Sequence, residues 1–181
     1  MAKESLITIT QLKKSLRDYS QDDFVDLITD ISQSCPQARE FLTVKFSSRE
    51  STEKLLDKYK QQIENEFFPK RGFGRLNLRD AKKAIADFKK ICKDKVKGID
   101  IMLFYVENCV DFTDQFGDIN ENFYNSAISV YGDVIKEINY SDVETYNMFS
   151  DRLKSAAENA CEGWGFQDCM MDLYYQIDWI E

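Results

Sequence analysis

The sequence predicts an all-α protein, and three observations lead to that class. Apolar residues recur at the i, i+3, i+4, i+7 spacing of amphipathic helices over most of the 181 residues. Only 7 glycines and 2 prolines interrupt the chain, fewer than the frequent turns of a β-rich protein require. The 43% hydrophobic and 31% charged residues fit helices with one buried and one solvated face. We expect about nine helices in antiparallel pairs, forming an irregular bundle or a short α-solenoid.

Four helices are predicted before Pro69, because serine and threonine favour N-caps and proline ends a helix. The predicted spans are 7–16, 20–35, 36–46 and 51–68. The second is the clearest, with Ser20 as its cap. Its apolar residues recur at the spacing of one buried face: Phe24, Leu27, Ile28 and Ile31.

Five further helices are predicted after the Pro69 loop, with spans 77–97, 99–116, 120–138 and 141–160 and a last one after Phe166. Gly98 is expected to end the first of these and Gly117 the second. Residues 99–116 are apolar on more than half of the helix circumference, which predicts the central, most buried helix. Ser141, followed by Glu144, forms the pattern of a capping box. The length fits a single domain over residues 1–181, with two lobes meeting near residues 68–77 as the alternative.

Composition excludes several classes of function. The chain has no histidine, so it cannot contain a Ser-His or Cys-His nucleophile or a histidine-containing zinc site. A net charge of −8 argues against nucleic-acid binding and against recruitment to an anionic membrane. No segment has the pattern of a signal peptide or a membrane span. Five cysteines, an odd number without a CxxC pair, indicate free thiols in a reduced cytoplasmic compartment.

The first candidate site is the loop of Lys70, Arg71, Gly72, Phe73, Gly74 and Arg75. Glycine amides, three cations and the start of the next helix could bind an anion, such as a phosphate or the acidic tail of a partner. The commoner explanation is a helix–helix corner in which Phe67, Phe68 and Phe73 fill the core. In that case Arg71 or Arg75 would pair with a carboxylate.

The second candidate is an acidic row on the central helix and the loop after it, Glu107, Asp111, Asp114 and Asp118, with Glu121 nearby. Carboxylates are the ligands that Mg²⁺, Mn²⁺ and Ca²⁺ prefer. A solvated face, or ion pairs with Lys70, Arg71 or Arg75, explains the same row more simply.

The third is Trp164, between Gly163 and Gly165. Its indole could stack on a ligand or on a partner side chain. A tryptophan between two glycines is more often a core residue, and we interpret it that way.

Two motifs carry a resemblance to a known family. They are Glu66-Phe67-Phe68-Pro69-Lys70-Arg71-Gly72-Phe73-Gly74 and Gly163-Trp164-Gly165-Phe166. With the middle of the chain, including residues 102–107 and 117–121, they resemble an uncharacterised bacterial family of small cytoplasmic proteins. That family is a domain of unknown function, so the resemblance implies a bacterial cytoplasmic origin and no activity.

These observations favour a non-enzymatic cytoplasmic protein-interaction module whose surface includes residues 70–75 and 107–118. We expect another protein as the partner and no cofactor. The alternative is an enzyme or sensor in which the acidic row holds a divalent cation and Arg71 binds an anionic ligand. The sequence contains no recognisable catalytic motif, and it does not indicate an oligomeric state.

Overall fold

A computed structural model of the chain describes residues 6–72 and 74–180 and confirms the all-α class. The described residues contain nine α-helices and no strand. They are α1 Ile9–Ser15, α2 Gln21–Ser34, α3 Pro36–Phe46, α4 Arg49–Phe67, α5 Leu78–Ile91, α6 Lys95–Phe116, α7 Glu121–Asn139, α8 Val143–Glu158 and α9 Phe166–Tyr174. Within these residues, no helix has the length and the apolar character needed to cross a membrane.

The chain divides into two compact units, Met1–Ser47 and Ser48–Glu181. In the N-terminal unit, α2 and α3 pack against each other. Capping boxes at Thr8 and Ser20 begin α1 and α2. The predicted buried face of α2 is only partly correct. Phe24 and Leu27 are half-buried, but Ile28 and Ile31 are exposed, since α3 covers only part of the helix.

The second unit is an irregular bundle around α6, which packs against α4, α5, α7 and α8. The prediction of α6 as the central helix is confirmed, since half of its residues are buried and its interior side chains include Ile101, Leu103 and Tyr105. Buried polar groups in this core are paired. The Tyr105 hydroxyl lies 2.8 Å from Ser126 Oγ, and the Tyr131 hydroxyl donates to the Leu153 carbonyl at 2.9 Å.

The predicted helix boundaries in this unit are wrong at three places along the chain. α4 begins two residues earlier than expected, because Ser48 rather than Ser51 is its cap. Gly98 does not end a helix. α5 stops at Ile91, and α6 begins after Asp94, which accepts a hydrogen bond from the Lys97 amide. At α8 the cap is Asp142 rather than Ser141, because Asp142 Oδ1 accepts the Thr145 amide at 2.8 Å.

Candidate functional site

The segment between α4 and α5 folds back over the C-terminal end of α4. The Leu76 amide donates to the Glu66 carbonyl at 2.8 Å, and the Asn77 amide donates to Glu66 Oε2 at 3.3 Å. Gly72 has a φ of 79°, which glycine adopts readily. At Gly74 a β-carbon would overlap the Phe67 carbonyl oxygen and lie 2.7 Å from that of Glu66. The two glycines are therefore required for different reasons, one for its backbone angle and one for a close backbone approach.

An open apolar groove of about 480 Å³ lies beside this segment. Its lining consists of Phe67, Phe68, Pro69, Gly72, Gly74, Leu76, Phe112, Phe116 and Ile119. We call it the phenylalanine groove. The Phe112 and Phe116 rings are 4.6 Å apart between centroids, and Phe68 stacks on Phe116 at 6.3 Å. Phe116, the last residue of α6, is 56% exposed, so an aromatic wall of the groove faces solvent.

Three cations are neighbours in the sequence of residues that line the phenylalanine groove. Lys70 and Arg71 lie between Pro69 and Gly72, and Arg75 precedes Leu76. All three are exposed, and none makes an ion pair or a hydrogen bond within residues 6–72 and 74–180. The ion pair that the sequence suggested for Arg71 or Arg75 is therefore not formed among these residues. Phe73, predicted as part of the same loop, lies outside the described residues.

The acidic row is paired through a different cation, Arg152 of α8. Arg152 Nε and Nη2 donate to the two Glu107 carboxylate oxygens at 2.7 and 2.8 Å. Its Nη1 donates to Asp100 at 2.7 Å, and the other Asp100 oxygen accepts from Lys60 at 2.8 Å. Burial opposes the ionisation of Asp100, but the hydrogen bonds from Lys60 and Arg152 outweigh it, so its pKa lies below the usual value. This half-buried network joins α4, α6 and α8, and it gives Glu107 a structural role.

The other carboxylates of the row do not converge with Glu107. Burial, together with the charges of Glu107 and Asp114, raises the pKa of Asp111 above its usual range. Asp114 and Glu121 are exposed. In the described part of the chain, no three histidine, cysteine, aspartate or glutamate side chains are grouped so that they could hold a metal ion.

Asp118 is held by aromatic donors. The Tyr124 hydroxyl donates to Asp118 Oδ1 at 2.6 Å, and the Trp164 indole nitrogen donates to Oδ2 at 2.9 Å. These two hydrogen bonds lower the pKa of Asp118. Trp164 is 63% exposed, so its interpretation as a core residue is wrong, and Phe166 is the buried aromatic of that motif.

The two motifs that define the resemblance therefore meet at one region of the second unit. The first, Glu66 to Gly74, supplies much of the groove. The second, through Trp164, holds Asp118, whose neighbour Ile119 lines the groove. Phe67 is fully buried between this groove and the core, with Tyr105 at 5.7 Å between ring centroids.

Sequence reasoning missed Arg152 and the aromatic groove. A signal for Arg152 was present, because it shares the buried face of α8 with Phe149, Leu153 and Ala156 at helical spacing. A cation in such a stripe needs a buried or half-buried anion. The signal for the groove is weaker, since Phe112 and Phe116 fall within residues 99–116, where the apolar pattern predicts burial.

Residues 7–172 match the sequence model of a family of unknown function, DUF6155. The match covers most of the chain and agrees with the resemblance to a domain of unknown function. No curated protein sequence and no solved structure shows a significant match to the chain.

Proposed function

We propose that this chain, which belongs to the DUF6155 family of unknown function, is a non-enzymatic cytoplasmic module that binds a segment of another protein. The observation that carries the proposal is the phenylalanine groove, which is open to solvent and lies beside three cations that have no partner among the described residues. The groove would receive apolar side chains of the segment. The cations would attract acidic residues next to them.

The lining of the groove favours a protein segment over a small metabolite. Small-molecule sites combine an apolar cavity with a few polar groups that fix the orientation of the ligand. The nine described residues that line the groove are apolar or glycine, and the charged groups lie on neighbouring residues of the loop. Aromatic walls with no polar side chain among the described lining residues suit apolar anchor residues, which supply most of the affinity at protein interfaces.

Charge supports an acidic segment. The whole chain carries a net charge of −8, so an acidic partner would be repelled by most of its surface. Lys70, Arg71 and Arg75 provide a local exception. Because these cations have no partner among the described residues, binding an acidic segment does not require an existing ion pair to break.

The test is selection of peptides from a random phage-displayed library on the immobilised full chain. We expect enrichment of peptides with an aromatic or aliphatic residue next to Asp or Glu. A selected peptide should bind Phe116→Ser at least tenfold more weakly, because the aromatic wall is lost. It should also bind Arg71→Glu more weakly, with a smaller dependence on salt than for the wild type.

Two control variants match these changes away from the groove. Met148→Ser removes an exposed apolar side chain of α8, and Lys95→Glu reverses an exposed charge in the first turn of α6. Neither should alter peptide binding. If no peptide is enriched, or if the enriched peptides bind Phe116→Ser as tightly as the wild type, the groove is not the binding site.

A further inference from the structure

We infer that the N-terminal unit associates with a second copy of this chain, so that the α2–α3 pairs of two copies form a four-helix bundle. The first observation is the lack of a core. Between Leu6 and Ser47 no residue is buried, although α2 and α3 are regular helices that pack against each other. Helices in proteins owe most of their stability to the packing of an apolar face, and here much of that face is uncovered.

The uncovered face is a stripe on α2. Val25, Ile28 and Ile31 follow one another at a spacing of three residues and are 57%, 47% and 43% exposed. Phe41 of α3 is exposed to a similar degree. Two such helix pairs, one from each copy, could cover the exposed apolar residues of each other and form a four-helix bundle.

The size of the unit supports completion by a second chain. Below about 40 residues a folded chain usually needs a disulfide, a metal or oligomerisation, and the unit Met1–Ser47 is only slightly longer. Cys35, the cysteine of this unit, is a free thiol. The described residues contain no group that could hold a metal. Of these three ways to stabilise a small unit, the exposed apolar stripe on α2 favours oligomerisation.

The charges of the unit favour a copy of itself as the occupant. α2 carries four carboxylates, Asp22, Asp23, Asp26 and Asp30, and no lysine or arginine. The neighbouring helices are basic on balance, with Lys13 and Lys14 on α1 and with Arg39 and Lys45 against Glu40 on α3. Asp22, Asp26 and Asp30 make no ion pair with any described residue. In a two-fold pair, the acidic helix of each copy can face the basic helices of the other, so each contact is made twice.

The net charge of the unit also permits self-association. Residues 6–47 contain five lysines and arginines against six aspartates and glutamates, a net charge of −1 out of −8 for the chain. Two such units can therefore approach each other with little repulsion. The remainder of the chain, with most of the negative charge, would repel a copy of itself.

Sedimentation equilibrium of the full chain over a wide concentration range tests the inference. We expect a reversible monomer–dimer equilibrium, with a limiting mass twice the monomer mass of 21.2 kDa. The Ile28→Asp/Ile31→Asp variant should weaken the association at least tenfold. Both side chains are already exposed, so the far-ultraviolet circular dichroism of the monomer should stay close to that of the wild type.

Two further variants determine which surface is responsible. Asp26→Lys/Asp30→Lys replaces two of the four carboxylates of α2 by cations, which cancels the negative charge of the helix and should also weaken the association. Met148→Asp places a charge on an exposed apolar position of α8 and should leave it unchanged. A wild-type chain that stays monomeric at all concentrations would overturn the inference. A dimer that the α2 variants do not weaken, or that Met148→Asp does, would overturn it as well.

Discussion

Asp100 and Asp111 are carboxylates of the same helix, α6, with opposite electrostatic surroundings. The pKa of Asp100 is lowered, because the hydrogen bonds from Lys60 and Arg152 outweigh the cost of burial. The pKa of Asp111 is raised by burial and by its two acidic neighbours on the helix. Ionised Asp100 therefore adds stability above its unfolded pKa of about 3.9, which is lost as the pH falls through its folded pKa. Ionised Asp111 costs stability above its folded pKa, and that cost disappears as the pH falls below its unfolded value.

The predicted consequence is that asparagine substitutions at these two positions have opposite effects at pH 7. Asp100→Asn lowers the unfolding midpoint, because it weakens a half-buried ion network. Asp111→Asn raises the midpoint by about 1–2 °C, since like-charge pairs on a helix cost about 0.2–0.5 kcal/mol each. Thermal melts at several pH values between 7 and 3 measure both, and both differences should shrink toward the acidic end.

Asp57→Asn is the control for net charge, because Asp57 is an exposed carboxylate of α4. If Asp57→Asn stabilises the protein as much as Asp111→Asn does, then the gain comes from total charge and not from the acidic row. The same melts with Mg²⁺, Mn²⁺ or Ca²⁺ address the alternative that carboxylates of the row bind a divalent cation. A rise of several degrees in the wild type that is lost in Asp111→Asn would favour it.

At this scale the sequence identified the residues better than their partners. Helical spacing places Glu107 and Asp118 in the acidic row, but it does not indicate their partners. These are Arg152 and Trp164, which lie 45 and 46 residues away in the chain. Such distances are set by how the helices pack, which a helical period does not specify. Trp164 was assigned to the core because of its size. Its indole N–H instead has an exposed carboxylate as acceptor, which allows the ring to remain at the surface.

At the scale of elements, the number and order of helices follow from apolar spacing alone, whereas some of their ends do not. Ser141 and Asp142 are adjacent, and both residue types are strong N-caps. The choice depends on backbone geometry, and Ser141 Oγ instead donates to the Glu137 carbonyl at 2.7 Å, completing the previous helix. The prediction that Gly98 ends a helix fails for a similar reason. A glycine packed inside a helix, as Gly98 is in α6, cannot be distinguished by sequence from a glycine that ends one.

The connection between α4 and α5 yields a prediction from its two glycines. Gly72→Ala should cost about 1–2 kcal/mol of unfolding free energy, because its φ is positive. A β-carbon at this position would meet no atom of another described residue, so the backbone angle is the whole cause of the cost. Gly74→Ala should cost about 1–3 kcal/mol or more, since its β-carbon would overlap the backbone at the end of α4. Urea unfolding of the two variants measures both costs.

Substitution of each glycine by asparagine distinguishes the cost of a positive φ from the cost of a close backbone approach. Asparagine tolerates the left-handed region, so Gly72→Asn should be more stable than Gly72→Ala. At Gly74 the obstacle is space, so Gly74→Asn should be no better than Gly74→Ala. Because Gly74 lines the phenylalanine groove, its variants should also weaken any peptide selected on the wild type. Equal rescue by asparagine at both positions would contradict this account of the loop.

At the scale of the whole molecule, the two units differ in what stabilises them. The second unit buries a continuous core, with α6 surrounded by four helices. In the N-terminal unit, α1 and α2 begin with capping boxes, but residues 6–47 include no buried residue. The sequence predicted the helices of this unit correctly and the buried face of α2 only in part, because an amphipathic pattern shows which face is apolar but not whether anything covers it.

Hydrogen exchange should therefore separate the units. Local opening free energies range from near zero in uncovered segments to the global value in cores. Amides of residues 9–46 in a dilute sample should exchange much faster than those of α6. Their protection should rise with protein concentration, because a second copy covers the α2 stripe, while α6 should not change. The Ile28→Asp/Ile31→Asp variant should lose the concentration dependence and keep the slow exchange of α6. Slow exchange of residues 9–46 in a dilute monomer would mean that the unit is stabilised without a second copy.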